Sequence, residues 1–270
     1  MPFQFKKPLY MTIQLLLIVV SNIVLSNKAL AFNITLETID FSDFTGDGFS
    51  SAPSSGQLDN DDWAVTGLSD GDVAFGDVDK NTNDFARGIS SGGENTGGIY
   101  SFDVGEGNRA LGIQPTAGDF NPGTFTLKLT NDTGNTINDL DISYSVYIFN
   151  DENRSNSFNF SYSGDNSTYT SISSLNVTST AGEAAAPAWV ENSRSTTLSG
   201  VNIASNSDFY LRWSGEDVGG SGHRDEFALD DISFREEVPF DFSPSLGLLT
   251  IAGFGMVSYL KKRSQLNKQS

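Results

Sequence analysis

Apolar and polar positions alternate with a period of two residues over much of the C-terminal half of the chain. The clearest alternating segments lie at residues 124–130, 140–148, 158–162 and 209–213. Short segments rich in Gly, Asn, Asp and Ser separate them, at residues 121–123, 131–135, 163–166 and 219–222. Such alternation predicts strands with one face in a core, and such separators are typical of turns. The pattern therefore predicts an all-β fold, an antiparallel, jelly-roll-like β-sandwich.

The region from about Asp40 to Ser91 is less regular and richer in Gly and Asp. It predicts loops and short strands that pack on the sandwich rather than a second domain. The chain between the two ends, residues 32–238, is long enough to bury a full core without covalent cross-links. One β-sandwich domain over these residues is the prediction.

The first 31 residues have the layout of a secretory signal peptide. Lys6 and Lys7 give a positive segment, an interrupted apolar run covers residues 15–25, and Ala29 and Ala31 form a small-x-small cleavage site. This predicts export and cleavage after the second alanine. An uncleaved N-terminal anchor is the alternative, and the polar residues inside the apolar run disfavour it.

The last 32 residues predict a membrane-sorting tail with a transmembrane helix at 245–260 and a basic cluster at 261–263. Fifteen apolar residues in a helix extend about 22 Å, against a hydrocarbon core of about 30 Å. A snorkelling lysine and the preceding aromatic residues complete the span. The positive-inside rule then places the β domain outside the cell. A terminal core strand or helix is the alternative, and three consecutive cations beside the run disfavour it.

The tail resembles the PEP-CTERM class of sorting signals, in its cyanobacterial PFxFSP variant. Glycines at 247, 253 and 255 of the apolar run contribute to the resemblance, and the motif itself consists of Pro239, Phe240, Asp241, Phe242, Ser243 and Pro244. The resemblance implies an exosortase-type membrane protease as partner, processing near the motif, and surface attachment or release. The tail departs from the commonest form of the class because it lacks Pro-Glu-Pro.

The central region, from about residue 59 to residue 234, resembles a β-sandwich module of secreted and PEP-CTERM-tailed bacterial proteins. The segments that carry this resemblance are DFARG (84–88), GGIYSF (97–102), RALG (109–112), LRW (211–213) and RDEFALDDI (224–232). The ALDDI run also resembles the final strand of jelly-roll carbohydrate-binding modules. Neither resemblance implies an activity, since a fold does not fix a function.

Composition excludes several kinds of chemistry. The chain has no Cys and one His, so disulfides, thiolate metal sites and the usual multi-histidine zinc sites are excluded. Residues 32–238 carry 33 acidic and 9 basic side chains, a net charge of −24. A surface this negative repels nucleic acid and suits cations, above all Ca²⁺. The alternative is that the charge serves solubility and self-repulsion at a cell surface.

The last predicted strand carries the main metal hypothesis. A period of two places Asp230 on the same face as Ile232 and Phe234, toward the core. A carboxylate there needs an ion partner or a metal, because an isolated buried charge is prohibitive. Arg212 and Arg224 are the candidate ion-pair partners.

A structural Ca²⁺ is the other explanation for an inward carboxylate. The candidate ligands are Asp230, Asp231, Asp225 and Glu226. The segment 77–84 resembles half a calcium loop, but Thr82 and Gly88 stand where an EF-hand has its Gly and Glu. A solvated loop with Asx turns is the preferred interpretation of that segment.

Candidate sugar-binding residues are aromatic. Trp189 is predicted to lie in a loop and is the best stacking platform, while Tyr147 and Tyr210 are expected on an exposed sheet face. Trp213 shares one face with Phe209 and Leu211 at a spacing of two residues and is expected in the core. For Trp63 the sequence does not distinguish a core position from a surface position. Packing in the core or at its rim is the alternative for each of them.

No catalytic motif is present, since the chain shows neither paired carboxylates at strand spacing nor a Gly-x-Ser-x-Gly sequence. We therefore expect an exported cell-surface or extracellular-matrix protein that is not an enzyme, with a binding or structural β-sandwich and polysaccharide as its expected partner. Two alternatives remain: a secreted hydrolase that acts on polysaccharide, and a purely architectural coat protein.

Overall fold

The computed structural model describes residues 32–34 and 37–236. The predicted signal peptide, sorting motif, transmembrane helix and basic cluster lie outside these residues. Within the described part, no helix is long and apolar enough to cross a membrane.

Strands dominate the described residues, and only two short 3-10 turns, Asn83–Phe85 and Ser173–Leu175, accompany them. The strands are β1 (Phe32–Asn33), β2 (Glu37–Ile39), β3 (Phe44–Ser50), β4 (Gly56–Asp59), β5 (Trp63–Leu68), β6 (Gly71–Val73), β7 (Ile89–Ser90), β8 (Gly98–Gly105), β9 (Asn108–Gln114), β10 (Gly123–Thr130), β11 (Ile137–Phe149), β12 (Arg154–Ser163), β13 (Thr170–Ser171), β14 (Val177–Thr178), β15 (Trp189–Ile203), β16 (Asp208–Gly220) and β17 (Glu226–Glu236). The predicted all-β class is confirmed.

Two large sheets form the body of the fold. The eight-stranded sheet has the order β13-β12-β16-β10-β5-β6, with β1 beside β10 and β14 beside β12. The seven-stranded sheet has the order β15-β11-β17-β9-β8-β7, with β2 beside β17, and β3 and β4 form a third, small sheet. The long pairings are antiparallel, as predicted. Three short pairings depart from the prediction because they are parallel: β1 with β10, β3 with β4, and β7 with β8.

Apolar side chains from the inner faces of both large sheets form one core. The ring of Phe158 in the eight-stranded sheet stacks on Phe227 in the seven-stranded sheet, with ring centres 5.5 Å apart. Trp63 and Trp213 are both buried there and stack at 6.4 Å, which confirms the prediction for Trp213 and resolves the ambiguity for Trp63. Tyr144 also points inward, and its hydroxyl donates to the Leu175 carbonyl at 2.7 Å. The alternation read from the sequence thus marks the faces of β10, β11, β12 and β16 correctly.

Strands β3 to β7 lie in the irregular region before residue 91. Phe41, Phe44 and Phe49 are buried in the same core as the two large sheets, and Phe41 contacts the Trp63 ring at 5.7 Å. The region is therefore an addition to the sandwich and shares its core.

Strand β17 contains a β-bulge. Ser145 of β11 pairs with Asp230, whereas Ser143 pairs with Ser233, so two residues of β17 face one residue of β11. Asp231, within the bulge, has a φ of 50°. This left-handed conformation is one that Asp tolerates better than most side chains.

The bulge overturns the predicted orientation of Asp230. Before the bulge Phe227 points into the core, and after it Ile232 does so, although their positions differ by five, an odd number. The extra residue therefore shifts the alternation by one. Asp230 lies on the outer face together with Ala228, not on the inner face, yet it is fully buried there.

Candidate functional site

The outer face of the seven-stranded sheet carries a second aromatic cluster, separate from the main core. Tyr100 and Phe102 from β8 stack at 5.1 Å, and Tyr147 from β11 packs against the same cluster. Trp189 contacts Phe102 at 4.9 Å and Phe149 at 5.2 Å. The structure thus brings together two of the three predicted ligand-binding aromatics, Tyr147 and Trp189.

The prediction that Trp189 lies in a loop is wrong, because this residue is the first of β15. Pairing with Phe149 of β11 continues the sheet to this residue, although the preceding Ala-Pro-Ala sequence looks like a loop. Its indole Nε1 donates to the Ser91 carbonyl at 2.9 Å, and the side chain remains partly exposed. The ring is therefore held in place while part of its surface faces solvent.

The sheet curves toward this face. Phe102 and Trp189 belong to strands that are four positions apart in the sheet, a separation of about 19 Å between backbones in a flat sheet. Their rings nevertheless touch, above the small residues Gly112 and Ala228 on the strands between them. A Cβ atom at Gly112 would collide with the Phe102 ring, so glycine is needed at this position.

The other half of the face is lined with hydroxyl groups. A groove of about 490 Å³ lies over β15, β11 and β17, and Ser143, Ser195, Thr197 and Ser233 are among its lining residues. At its end, Asp141 accepts hydrogen bonds from the Thr197 hydroxyl at 2.7 Å and from the Arg235 guanidinium at 2.9 Å. The Thr197 hydroxyl and then Arg235 lower the pKa of Asp141, so this carboxylate stays ionised.

A carboxylate connects the two halves of the face. Glu191 on β15 accepts hydrogen bonds from the hydroxyls of Ser145 at 2.6 Å and Ser193 at 2.9 Å. These bonds lower the pKa of Glu191. Beside it, Asp231 lines a second groove of about 280 Å³ with Ser143, Ser145, Ser193 and Ser195. A row of acceptors and hydroxyl donors therefore runs from the aromatic cluster to Arg235.

Asp230 is buried beneath this face. Its carboxylate accepts hydrogen bonds from Asn108 Nδ2 at 2.9 Å and from its neighbour's amide, that of Asp231, at 2.8 Å. Burial raises its pKa to about 7, despite the two hydrogen bonds that lower it. Neither of the predicted ion-pair partners reaches it. Arg224 pairs with Asp217, and Arg212 lies on the eight-stranded sheet.

Glu226 closes the aromatic end of the face. It is fully buried, and one carboxylate oxygen accepts a hydrogen bond from the Glu94 amide at 2.6 Å. Burial raises the pKa of Glu226 to about 9, and the negative charge of Asp151 adds to the rise. The loop that carries Ser91 and Glu94 therefore covers this end, because it bonds both Trp189 and Glu226.

The four candidate calcium ligands do not form one site. Glu226 and Asp230 are four residues apart on one strand, about 13 Å, whereas an ion holds its oxygen ligands at about 2.5 Å. Asp225 is also fully buried, and it accepts a hydrogen bond from the Glu152 amide at 3.1 Å. Burial raises its pKa to about 6. Among residues 32–34 and 37–236, no three acidic or His side chains are grouped to hold a metal.

The carboxylates of the segment 77–84 have protein partners, and Asp84 is buried, which departs from the solvated loop of the preferred interpretation. Asp77 accepts a hydrogen bond from the Val78 amide at 2.8 Å and pairs with Lys80. Asp79 accepts a hydrogen bond from the Ser50 hydroxyl at 2.6 Å, and Asp84 forms an ion pair with Arg87.

Tyr210 does not belong to the candidate site. It lies on the outer face of the eight-stranded sheet, where its ring contacts Phe75 at 5.8 Å. Tyr100, Phe102 and the row of serines on β11 and β15 were not predicted from the sequence as site residues. In residues 99–104, the apolar Tyr100, Phe102 and Val104 alternate with Ser101 and Asp103, so alternation alone marks the wrong face as the inner one.

No protein-family model matches the chain, and no curated protein matches it. Among solved structures, the chain is similar to the CBM22-1 xylan-binding domain from Paenibacillus barcinonensis Xyn10C, with 11% identity, 76% of this chain and 97% of that chain covered, and a TM-score of 0.35. It is similar to TmCBM61 in complex with β-1,4-galactotriose, with 12% identity, 54% of this chain and 86% of that chain covered, and a TM-score of 0.31. A third similar structure is CBM28, a non-crystalline cellulose specific carbohydrate-binding module, with 10% identity, 51% of this chain and 80% of that chain covered, and a TM-score of 0.33.

Proposed function

We propose that this chain is an exported cell-surface or extracellular-matrix protein whose β-sandwich is a non-catalytic module that binds polysaccharide. The binding surface is the outer face of the seven-stranded sheet. One observation carries the proposal: the partly exposed Trp189 ring lies on the same curved face as a hydroxyl-lined groove.

This arrangement suits a sugar chain because a sugar ring has an apolar face and a polar edge. The apolar face stacks on an aromatic ring, and Trp189 and Tyr147 offer such rings at one end. The hydroxyl edge needs donors and acceptors at intervals, which Ser143, Ser195 and Glu191 provide along the face. Between Trp189 and Thr197, β15 extends about 27 Å, so the face has room for several sugar units.

The test is a glycan array with the exported protein, followed by calorimetry with the best ligand. We expect Trp189→Ala to weaken binding about tenfold or more, because it removes the stacking platform. Val190→Ala is the matched control, since Val190 is 59% exposed on the same strand but points to the other side. Equal affinity of Trp189→Ala and wild type would rule out this face as the binding surface.

A hydrolase that acts on polysaccharide is the alternative among enzymes. Glu226 has the raised pKa of a general acid, but its side chain is fully buried and bonded to the Glu94 amide. A sugar chain on the face cannot reach it without removal of the covering loop. Release of reducing ends from any bound polysaccharide, lost in Glu226→Gln, would favour the hydrolase. The absence of any ligand on the array would favour the architectural coat protein.

A further inference from the structure

The outer face of the eight-stranded sheet holds two cations that contact aromatic rings instead of carboxylates. The described residues contain nine Lys and Arg side chains, and six of these form ion pairs with Asp. Lys128 and Arg212 have no carboxylate of the described residues within ion-pair distance and lie over rings. Although the domain has many acidic side chains, these two cations have no carboxylate partner among the residues that the structure describes, so each can bind an anionic group of a ligand.

Arg212 on β16 is held in a fixed orientation. Its guanidinium carbon lies 3.6 Å from the centre of the Tyr169 ring. Its Nε donates to the Thr126 hydroxyl at 3.0 Å, and its Nη2 donates to Asn166 Oδ1 at 3.4 Å. These bonds use two of the five guanidinium donors. The remaining donors form a pre-organised fork of the kind that binds a carboxylate through two hydrogen bonds.

Further rings and the second cation continue the row. Tyr210 precedes Arg212 by two residues and therefore lies on the same face. Its ring contacts Phe75, and Lys128, the cross-strand partner of Tyr210, places its Nζ 5.2 Å from the Phe75 ring centre. All five side chains, from Tyr169 to Lys128, are partly exposed.

We propose that this row, the cation–aromatic strip of Tyr169, Arg212, Tyr210, Phe75 and Lys128, binds a polysaccharide that carries carboxylate groups. The rings stack on the sugar faces, the guanidinium fork binds one carboxylate and the ammonium group binds another. The strip is on the opposite sheet from the surface in the proposed function, so each can exist without the other.

Three carboxylates flank the strip and set its selectivity. Asp208 accepts the Thr130 hydroxyl at 2.9 Å, Asp165 accepts the amides of its own turn, and Asp59 accepts the Asp61 amide at 2.8 Å. Their negative charge opposes a ligand of high charge density. We therefore expect a chain with one carboxylate on each sugar to bind and dextran sulfate not to bind.

The experiment compares polygalacturonate with its methyl-esterified form by calorimetry with the exported protein. The two ligands share one backbone and differ only in the carboxylate charge. We expect wild type to bind the acid form and not the ester. Arg212→Gln should lose about tenfold or more in affinity for the acid form, and Lys128→Gln a smaller amount. Arg212→Lys, which keeps the charge but loses the fork, should fall between wild type and Arg212→Gln.

Lys80→Gln is the matched control. Lys80 also lies over a ring, that of Phe85 at 5.4 Å, but pairs with Asp77, so its removal should leave affinity unchanged. Equal binding of ester and acid, no binding of the acid, or wild-type affinity in both Arg212→Gln and Lys128→Gln would overturn the proposal. If Trp189→Ala alone abolishes binding, the ligand belongs to the seven-stranded sheet, and only the proposed function survives.

Discussion

At the scale of single residues, buried carboxyl groups make stability depend on pH, and the pKa rises most at two of them. Burial raises the pKa of Asp230 to about 7 and that of Glu226 to about 9. Above about pH 4 the unfolded chain loses these protons, whereas the folded protein keeps them until the pH passes the raised values. Stability is therefore greatest at acidic pH and falls as the pH rises. We expect the melting temperature to fall by about 5 °C or more between about pH 5 and about pH 9.

Amide variants identify the groups responsible. Asp230→Asn and Glu226→Gln should each flatten the fall in melting temperature and raise its value at pH 9, because neither amide ionises. Asp165→Asn is the control. Amides of Thr168 and Ser167 hold the pKa of Asp165 well below its usual range, so this variant should leave the slope unchanged. A slope that stays the same in the double variant of Asp230 and Glu226 would contradict the prediction.

At the scale of the element, the bulge in β17 depends on the left-handed conformation of Asp231, with φ at 50°. A β-branched residue is strained in this conformation, whereas glycine adopts it freely. We expect Asp231→Val to lower the free energy of unfolding by about 1–2 kcal/mol and Asp231→Gly to leave it near wild type. Urea unfolding measures both. Ser233 lies in regular strand after the bulge, so Ser233→Val should change the free energy of unfolding little. An equal loss of free energy in all three variants would refute the role of the bulge.

This strand also shows what the sequence can and cannot predict. A period of two identifies β10, β11, β12 and β16 and their inner faces, because polar and apolar residues separate cleanly there. It fails at β17, where two adjacent aspartates conceal a one-residue shift in phase. It fails again at β8, since Tyr100 and Phe102 fill the outer face with rings as large as those inside. Contacts between distant strands, such as Phe102 with Trp189, arise from sheet curvature, which a local pattern does not contain.

At the scale of the whole molecule, we propose a surface protein that is processed at both termini, on the basis of its acidic composition and the motifs predicted near the two ends. We propose cleavage after Ala31 and retention through the predicted helix at 245–260 until an exosortase-type protease acts. Deletion of residues 246–270 should release the protein into the medium, because it removes the apolar run and the basic cluster that form the predicted anchor. Cell fractionation measures this.

The control is a deletion of residues 264–270, which follow the basic cluster and are not part of the predicted anchor. This variant keeps the apolar run and should remain in the membrane fraction. Equal retention of the truncated and full-length proteins would show that the tail is not the anchor, and an exported N-terminus at Met1 would exclude cleavage after Ala31.

The position of Trp189 gives the molecule an intrinsic optical signal. Trp63 and Trp213 are sealed in the core, whereas Trp189 is partly exposed on the candidate face, and these three are all the tryptophans of the chain. Iodide or acrylamide should therefore quench the fluorescence of Trp189 and leave that of Trp63 and Trp213 unchanged. Trp189→Phe should abolish the quenching. A sugar that stacks on the indole should protect it from the quencher, whereas an acidic chain on the opposite sheet should not. Fluorescence can thus distinguish which sheet a ligand occupies without any label.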